Sequence, residues 1–495
     1  MNNKNSYKIR LIALVLIIIL INILGYKFTF RLDFTEDKRY TLSDATISML
    51  KELDEPVTIK AYISDNLHPQ IDEKRTEFKD LLVEFENRSG GNVLYEFINP
   101  NENQEAETEA QQKGIAPATI QVRERDQYSQ KRAYVGAVVQ KGEQTKTIAY
   151  LLADGTSMEY LLTSTVKSIS VNQKPKVGFV LGHGEPDVNS YSQVNNTLQG
   201  FYTFESVNLA TSNLLEYNAL IISGAKDSLS NVELNALNNY LNSGKNLLIA
   251  CNKSAYDFTT NAPVSYSLGI ESWLAEKGLV INNDYVVDAK HSNLQLNIFQ
   301  RMPFAYYPII NNFGNHVITD GLESLKMEFL SSINYKEIDS SYLFIPLLQT
   351  SNRSLTLPSF SWDGTNTFPY NQSKITVAGL LEGDFGSGNK SKILVFTDGG
   401  FAVNGTGRTA KQLPADNISL MANAIDWIAG NTELIELRTR EVTSRPIRTD
   451  LEDSKKTFIK YVNFATPIIL VILYGFIRLQ RSNKKRQNWL EEDFS

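Results

Sequence analysis

Two long apolar runs, one near each end of the chain, constrain this sequence more than any other feature. The first covers residues 11–23 and reaches about 20 residues when extended to Phe30. A helix of that length spans roughly 30 Å, the thickness of a bilayer's hydrocarbon core. The flank before it carries three basic residues and no acid, as in a cleaved signal peptide, which is the alternative interpretation. Small residues at A-x-A spacing do not follow the run, so we expect a retained anchor over residues 11–30.

The second run covers residues 462–477 and contains Pro467 and Gly475. Both residue types are more frequent in membrane helices than in soluble ones. The alternative is a buried helix of a soluble domain, but such a helix usually carries one apolar stripe, whereas apolar residues surround this one. We therefore predict a second membrane helix over residues 458–479.

Two membrane helices would place both chain termini on one side of the bilayer and residues 31–457 on the other. The tail after the second run is rich in Lys and Arg without a nearby acid, whereas the basic residues of the inner flanks alternate with Asp and Glu. Lys and Arg favour the cytoplasmic side, and acids count little. We expect residues 1–10 and 480–495 in the cytoplasm and the bulk of the chain outside it.

Composition narrows the range of functions. The 49 basic and 55 acidic side chains leave a formal charge of −6, which gives no reason to expect a nucleic-acid partner. Cys251 is the single cysteine, so an intramolecular disulfide, a Cys-rich zinc site and a CxxC redox pair are excluded. We expect neither a metal nor a cofactor.

Residues 31–172 alternate between strand and helix patterns in the order β-α-β-α-β-β-α. Ser43 is placed to cap a helix over residues 44–53, and strands are predicted at 57–63 and 93–98. This order predicts a thioredoxin-like domain with room for one extra strand. Because the segment has no cysteine, redox chemistry is excluded and an interaction module remains.

Residues 173–440 contain buried strands that alternate with helices, which predicts a doubly wound α/β domain with parallel strands. The strands that carry this prediction cover residues 176–181, 202–207, 219–223, 246–250 and 392–397. The pattern weakens over about 259–376, which we interpret as an insertion with strand content. A helix over residues 417–429 is predicted as the last element before a stalk at 441–457.

Polar loops follow the first and the last of these strands. The residues in question are Gly182, His183, Gly184, Glu185 and, after the last strand, Asp398. Ligands bind at the carboxyl ends of strands in such sheets. If the two strands are neighbours, His183, Glu185 and Asp398 converge on one crevice, which would suit a ligand contact, a metal or an acid/base pair. The alternative is structural: the glycines permit a tight turn, His183 bonds to backbone and Glu185 caps a helix.

Two other segments resemble catalytic or nucleotide-binding motifs without matching them. Cys251 ends a strand, but Asn252 and Lys253 stand where a nucleophile elbow needs small residues. Residues 383–391 nearly spell a phosphate loop, yet Asn389 separates the last Gly from the Lys, and a strand follows instead of a helix. We predict a buried cysteine, a hairpin turn and no ATP binding.

Four local patterns, taken in order, suggest a known family. They are residues 33–43 with the helix that follows, Phe97-Ile98-Asn99-Pro100 before a polar helix, residues 181–186, and residues 218–223 with the helix-strand pair at 230–250. Together with the two terminal runs, they resemble the GldG family of gliding-motility-associated ABC transporter auxiliary subunits. The resemblance covers essentially the whole chain.

The resemblance implies a non-enzymatic, so-called substrate-binding subunit that contacts a multi-span permease, which a separate cytoplasmic ATPase serves. Because members occur in gliding Bacteroidetes, it implies an inner-membrane protein whose central region is periplasmic. It also implies that residues 173–440 are similar to class I glutamine amidotransferases without their catalytic set.

Two other functions stay open at this point. One is a stand-alone periplasmic ligand-binding or envelope interaction protein. The other is a hydrolase that uses the loops at 182–185 and 398–400.

Overall fold

The computed structural model describes residues 14, 41–65, 69–124, 127–151, 157–171, 173–295, 300–362, 366–386, 388–439 and 453–492. The expected first anchor, residues 11–30, lies outside the described residues apart from Leu14. The chain divides into two compact units, a body over Met1–Val442 and a second unit over Thr443–Ser495.

A four-stranded mixed sheet organises the first part of the body. Its elements are α1 Asp44–Lys51, β1 Val57–Ile63, α2 Pro69–Arg88, β2 Val93–Ile98, α3 Gln104–Gln112, β3 Ala118–Glu124, β4 Gln127–Ala133, β5 Val135–Lys141, β6 Gln144–Ile148 and α4 Met158–Ser170. The sheet order is β2-β1-β5-β6, with β1 parallel to β2 and antiparallel to β5, and with β5 antiparallel to β6. Strands β3 and β4 form a separate antiparallel pair.

Local sequence explains these elements. The Ser43 side chain accepts the backbone N–H of Thr46 and so caps α1, as predicted. Helix α2 buries Phe78, Leu82 and Phe85 against the sheet, and their spacing of four and three residues places them on one helical face. The bounds of β1 and β2 are those that the alternating pattern predicts.

The second part of the body contains 17 described strands, eight of which form its main sheet. Its strands are β7 Lys176–Val180, β8 Thr203–Val207, β9 Ala219–Ser223, β10 Asn246–Ala250, β11 Ser254–Asp257, β12 Ala262–Ser265, β13 Leu279–Ile281, β14 Tyr285–Asp288, β15 His291–Gln295, β16 Arg301–Ile310, β17 Asn312–Phe313, β18 Leu325–Lys326, β19 Ile333–Tyr335, β20 Leu343–Gln349, β21 Ser354–Leu357, β22 Thr376–Asp384 and β23 Lys390–Phe396. Its helices are α5 Ser192–Leu198, α6 Asn231–Asn242, α7 Ile270–Ala275, α8 Ala415–Ala429 and α9 Thr432–Thr439.

The sheet order is β17-β20-β22-β23-β10-β9-β7-β8. Strands β8, β7, β9, β10 and β23 pair in parallel, and β22, β20 and β17 extend the sheet antiparallel. Ile221 and Leu248 pack on the face that α5 and α8 cover, while Leu220 and Leu247 pack on the face of α6 and α7. Both faces of the parallel strands are therefore buried, as the doubly wound prediction requires.

The region 259–376 holds all ten strands from β12 to β21, most of them short, in line with its weak sequence pattern. Two of them, β17 and β20, join the main sheet. Several others surround a cluster of aromatic side chains that includes Tyr285, Phe304 and Tyr306. The region thus widens the sheet as well as adding a separate aromatic core.

Helix α9 corrects the prediction that α8 is the last element before the stalk. It packs against α8, and its Arg438 donates to Asp426 of α8 at 2.7 Å. Leu434, Ile435 and Leu437 of α9 are buried in the same core as α8. The short, charged sequence of α9 shows no clear stripe on its own, and burial against α8 decides its conformation.

Helix α4 contacts both the first and the last helix of the described part of the body. At one end, the backbone N–H and the hydroxyl of Ser43 both donate to Glu159 Oε1, at 2.7 and 2.8 Å. At the other end, Arg438 lies beside the next residue of α4, Tyr160. Burial alone would lower the pKa of Arg438, but Asp426 and Tyr160 hold it above its usual value. Helix α9 packs against both α1 and α4.

The second unit contains α10, a helix over Asp453–Glu492. Within it, Ser454–Lys484 is long and apolar enough to cross a membrane, and it is the single such helix in the part of the chain that the structure describes. Its apolar side chains are exposed within the unit, for example Phe464 at 74% and Val471 at 70%. Pro467 lies inside the helix without ending it. The predicted span at 458–479 falls within this helix.

Candidate functional site

The carboxyl edge of the parallel strands is where a ligand would bind in a sheet of this kind. In chain order, the five parallel strands are arranged 2-1-3-4-5, so the strand order reverses between β7 and β9. The loop with Gly182, His183, Gly184 and Glu185 follows β7, one of the two strands at this reversal. The sequence-predicted loop therefore occupies the position that the sheet topology favours for binding.

His183 is 6% exposed and lies between two carboxylates. Its Nδ1 is 3.2 Å from Glu185 Oε1, and its Nε2 is 3.1 Å from Glu233 Oε1. The backbone N–H of His183 also donates to Glu185 Oε2 at 2.6 Å. Each ring nitrogen therefore has one carboxylate oxygen within hydrogen-bond distance.

Glu233 is placed by the start of α6. It forms a capping box with Ser230, whose N–H and hydroxyl donate to Glu233 Oε2 at 2.8 and 2.7 Å. Burial acts to raise the pKa of Glu233, but the hydrogen bonds from Ser230 and His183 outweigh it and lower the pKa below its usual value. The carboxylate is therefore held ionised beside the imidazole.

The loops on either side of the reversal are joined to each other. The His183 carbonyl accepts the backbone N–H groups of Lys226 and Asp227, at 2.8 and 2.9 Å. Gly184 has a φ of +82°, and a Cβ there would lie 3.2 Å from Lys226 Cβ. A Cβ on Gly224 would similarly meet Pro186 at 3.0 Å. The two loops thus pack closely against each other, and the glycines allow that close approach.

Asp398 does not converge with His183 through neighbouring strands. Two strands, β9 and β10, lie between β7 and β23, so the condition for a shared crevice is not met. Asp398 instead accepts the backbone N–H groups of Glu328 and Gly400, both at 2.7 Å. Burial raises its pKa to about 7, and the charge of Glu328 acts in the same direction. Its role here is to hold residue 328 of the inserted region against the sheet.

The structural alternative is correct for the backbone of His183, whose carbonyl accepts two backbone N–H groups, but not for its ring. Its ring contacts the side chains of Glu185 and Glu233, not backbone, and Glu185 bonds the residue two positions before it instead of capping a helix. The capping box of Ser230 and Glu233 is formed by residues three positions apart. The additional contact of Glu233 with His183 spans 50 residues, and no local signal in the sequence announces it.

Cys251 is a buried thiol, as predicted. It is 1% exposed, and burial raises its pKa to about 12. The neighbouring Asn252 donates to the carbonyl of Glu328 and accepts the N–H of Gly399. This environment keeps the sulfur protonated and inert at neutral pH.

The segment at 383–391 joins β22 to β23, which are antiparallel neighbours. The predicted hairpin is confirmed.

Among the described residues, no group of three or more His, Cys, Asp or Glu side chains is arranged to hold a metal ion. The carboxyl edge thus presents hydrogen-bonded loops with a buried His–carboxylate cluster beneath them.

Comparison with known proteins shows which family this chain belongs to. Residues 174–424 match the model of a family described as an ABC-type uncharacterized transport system, which is just over half of the 495 residues. The chain belongs to this ABC transporter auxiliary family. Residues 36–140, in the first part of the body, match a domain of unknown function.

Individual relatives of this auxiliary-family chain are distant. A protein of Borreliella burgdorferi, described as uncharacterized, is 22% identical over 526 residues, covering 98% of this chain and 100% of the relative. The mmIFT52 N-terminal domain has a TM-score of 0.36 at 15% identity, covering 51% of this chain and 96% of its own. A Thermoplasma acidophilum protein assigned to GMP synthase has a TM-score of 0.26 at 10% identity, covering 53% and 96%. At TM-scores below 0.5 these two likenesses carry no argument.

Proposed function

We propose that this chain is a non-catalytic, membrane-anchored accessory subunit of an ABC transporter of the gliding-motility type, related to GldG. The match of residues 174–424 to the auxiliary family carries the proposal. In this role the chain contacts a multi-span permease and, through it, a cytoplasmic ATPase. No ligand is assigned to the chain.

The proposed topology has two membrane helices, over residues 11–30 and 458–479, in a bacterial inner membrane. Residues 1–10 and 480–495 lie in the cytoplasm and the body lies in the periplasm. The apolar surface of α10 supports the second helix.

The proposed domains are a thioredoxin-like domain over 31–172, an amidotransferase-like domain over 173–440 with its insertion at about 259–376, and a stalk over 441–457. The order β2-β1-β5-β6, in which β5 runs against its neighbours, supports the first. The parallel order of β8, β7, β9, β10 and β23 supports the second.

A coupling role suits a body that is tethered to the membrane. A tether raises the effective concentration of the body near a permease in the same bilayer, so weak lateral contacts are sufficient. The packed loops around His183 and the buried thiol of Cys251 favour this role over the hydrolase alternative.

The test is co-purification from native membranes in a mild detergent. We expect the full chain to bring down a multi-span permease and an ATPase. The matched control replaces residues 458–479 by an unrelated apolar helix of equal length, which keeps the anchor but changes the lateral surface. If the full chain elutes without any multi-span protein, the proposal is wrong.

A further inference from the structure

Helix α10 is longer than a bilayer requires. It covers Asp453–Glu492, which is 40 residues, whereas about 20 residues are enough to span a hydrocarbon core. The proposed membrane helix ends at residue 479, and residues 480–492 continue the same helix. At a rise of about 1.5 Å per residue, this extension is about 20 Å long. The helix therefore carries its side chains through the lipid headgroup layer and beyond it.

The charged side chains at the start of the extension are all positive. Arg478, Arg481 and Lys484 are exposed, and they follow one another at intervals of three residues. Residues three apart are neighbours on a helix surface, and a rotation of about 100° per residue places all three within about a third of the helix circumference. We call these three residues the basic stripe. Lys485 and Arg486 follow it directly in the sequence.

The basic stripe has no acidic neighbour along its own helix. Ion pairs within a helix join residues three or four positions apart, and the positions at those distances from the three members carry neither Asp nor Glu. Arg481 instead has Arg478 and Lys484 as its neighbours. Like charges at this spacing repel each other, so anions from outside the helix would stabilise the stripe.

The position of the stripe along α10 favours lipid headgroups over a soluble partner. A headgroup layer is about 5–8 Å thick, and Arg481 and Lys484 lie about 3 and 8 Å beyond residue 479 along the helix. The Cα–Cβ bonds of a helix tilt toward its N-terminus, which is the direction of the membrane for the extension of α10. No Lys or Arg follows Arg486, so the cations end where the headgroup layer ends.

We propose that the basic stripe binds the headgroups of anionic phospholipids, such as phosphatidylglycerol or cardiolipin, on the cytoplasmic side of the membrane. A guanidinium can donate two parallel hydrogen bonds to one phosphate, and Arg478 and Arg481 lie on adjacent turns. Lys484 adds a compact positive charge. Clusters of Lys and Arg directly beside a membrane helix attract an anionic lipid surface. The proposal rests on the proposed membrane helix over residues 458–479 but not on a permease.

The test measures lipid preference by native mass spectrometry on the full chain in a neutral detergent. The chain is titrated with phosphatidylglycerol or with phosphatidylcholine of the same acyl chains. We expect phosphatidylglycerol to bind at least about tenfold more tightly, because only its headgroup carries a net negative charge. A variant that combines Arg478→Gln, Arg481→Gln and Lys484→Gln should reduce this ratio to about threefold or less.

The other end of α10 supplies the matched control. Lys455→Gln, Lys456→Gln and Lys460→Gln together also remove three cations, but from a segment where Glu452 and Asp453 stand close in the sequence. This variant should keep the preference of the wild type. Equal binding of the two lipids by the wild type overturns the proposal, and so does an equal loss of preference in the two variants.

Further measurements separate a lipid from other anions. Glycerol phosphate at the same concentration should leave lipid binding unchanged, and displacement of the lipid would show a site for free phosphate instead. If the stripe variant keeps the lipid preference but loses a protein that co-purifies with the wild type, the stripe is a protein contact and the proposal is wrong.

Topology is measured separately with Ser454→Cys and Ser482→Cys in spheroplasts. Labelling of the two from opposite sides of the membrane, without a lipid preference, overturns the present proposal alone. Labelling of both from one side overturns the membrane helix and this proposal with it. Absence of a permease from the wild-type preparation, with the lipid preference intact, would contradict only the transporter role.

Discussion

Asp398 shows how one buried carboxyl can join two parts of a body. It is 2% exposed, and each of its oxygens accepts a backbone N–H, one from Glu328 in the inserted region and one from Gly400 in its own loop. These bonds favour the charged carboxylate, but burial outweighs them and places its pKa at about 7. The carboxyl therefore titrates near neutral pH at the contact between the inserted region and the sheet.

This pKa has a consequence for stability. The folded-state pKa of about 7 lies above the ordinary value of 3.8, so the folded protein binds the proton more tightly than the unfolded chain does. The associated stability is complete below about pH 4 and is lost as the pH rises through 7, with an upper limit of roughly 4 kcal/mol. We expect Asp398→Asn to gain stability relative to the wild type between pH 5 and pH 8, as measured by urea unfolding in detergent.

Asp416 offers the matched control for Asp398. It also accepts two backbone N–H groups, from Glu323 and Ser324, but it is only half-buried. Asp416→Asn should change the free energy of unfolding by a similar amount at pH 5 and at pH 8. If the difference in the free energy of unfolding between Asp398→Asn and the wild type is also independent of pH, burial does not control the pKa of Asp398.

His183 provides a second prediction at the residue scale. Replacing it by Ala leaves Glu185 and Glu233 buried without their shared donor, which should lower the free energy of unfolding by about 3 kcal/mol. Lys226→Ala is the control, since only the backbone of Lys226 bonds to His183 and the change should be within about 0.5 kcal/mol. A loss below about 1 kcal/mol for His183→Ala would show that the carboxylates find other partners.

At the scale of elements, strands and caps were the most predictable features. The bounds of β1, β2, β9 and β10 agree with the sequence patterns to the residue, because buried strands are short apolar runs bounded by turn residues. The predicted cap at Ser43 is also confirmed. The signal in each case is contained in a few consecutive residues.

Features that depend on distant contacts were not predictable. Helix α9 is stabilised by its burial against α8, and the pairing of His183 with Glu233 depends on how β7 and α6 meet. The order of the strands also decides whether His183 and Asp398 converge, and that order cannot be read from the spacing of motifs. The loop at 182–185 is a candidate site because it follows a buried strand. No local pattern predicts that the backbone N–H groups of residues 226 and 227 bond to it.

Helix α1 depends on α4 through one carboxylate. Glu159 Oε1 accepts from the N–H and hydroxyl of Ser43 and from the hydroxyl of Thr46 at 2.7 Å. We expect Glu159→Ala to increase hydrogen exchange over residues 44–51 at least about tenfold, since losing one charged acceptor at a buried cap costs roughly 1.5–3 kcal/mol. Glu105→Ala, at an exposed position in the first turn of α3, is the control. Equal exchange in the two variants would contradict a capping role for Glu159.

At the scale of the whole molecule, the buried state of the one native thiol makes the proposed topology easy to test. Cys251 is 1% exposed, so the wild-type chain should stay unlabelled by a membrane-impermeant maleimide. In intact spheroplasts we expect Ser48→Cys, on α1, to be labelled, and Ser482→Cys, near the end of α10, to be labelled only after permeabilisation. Both side chains are exposed within their own units. The opposite pattern would place the body in the cytoplasm.

The arrangement at Glu159 and Tyr160 determines how tension would travel through this protein. Two adjacent residues of α4 contact Ser43 and Arg438, which lie near the two ends of the described part of the body. A pull between Ser43 and Arg438 would load α4 and also α8, because Arg438 donates to Asn423 and Asp426 of α8. Because Ser43 and Arg438 both lie beside α4, a fragment over residues 43–438 would suit insertion into a surface loop of another protein.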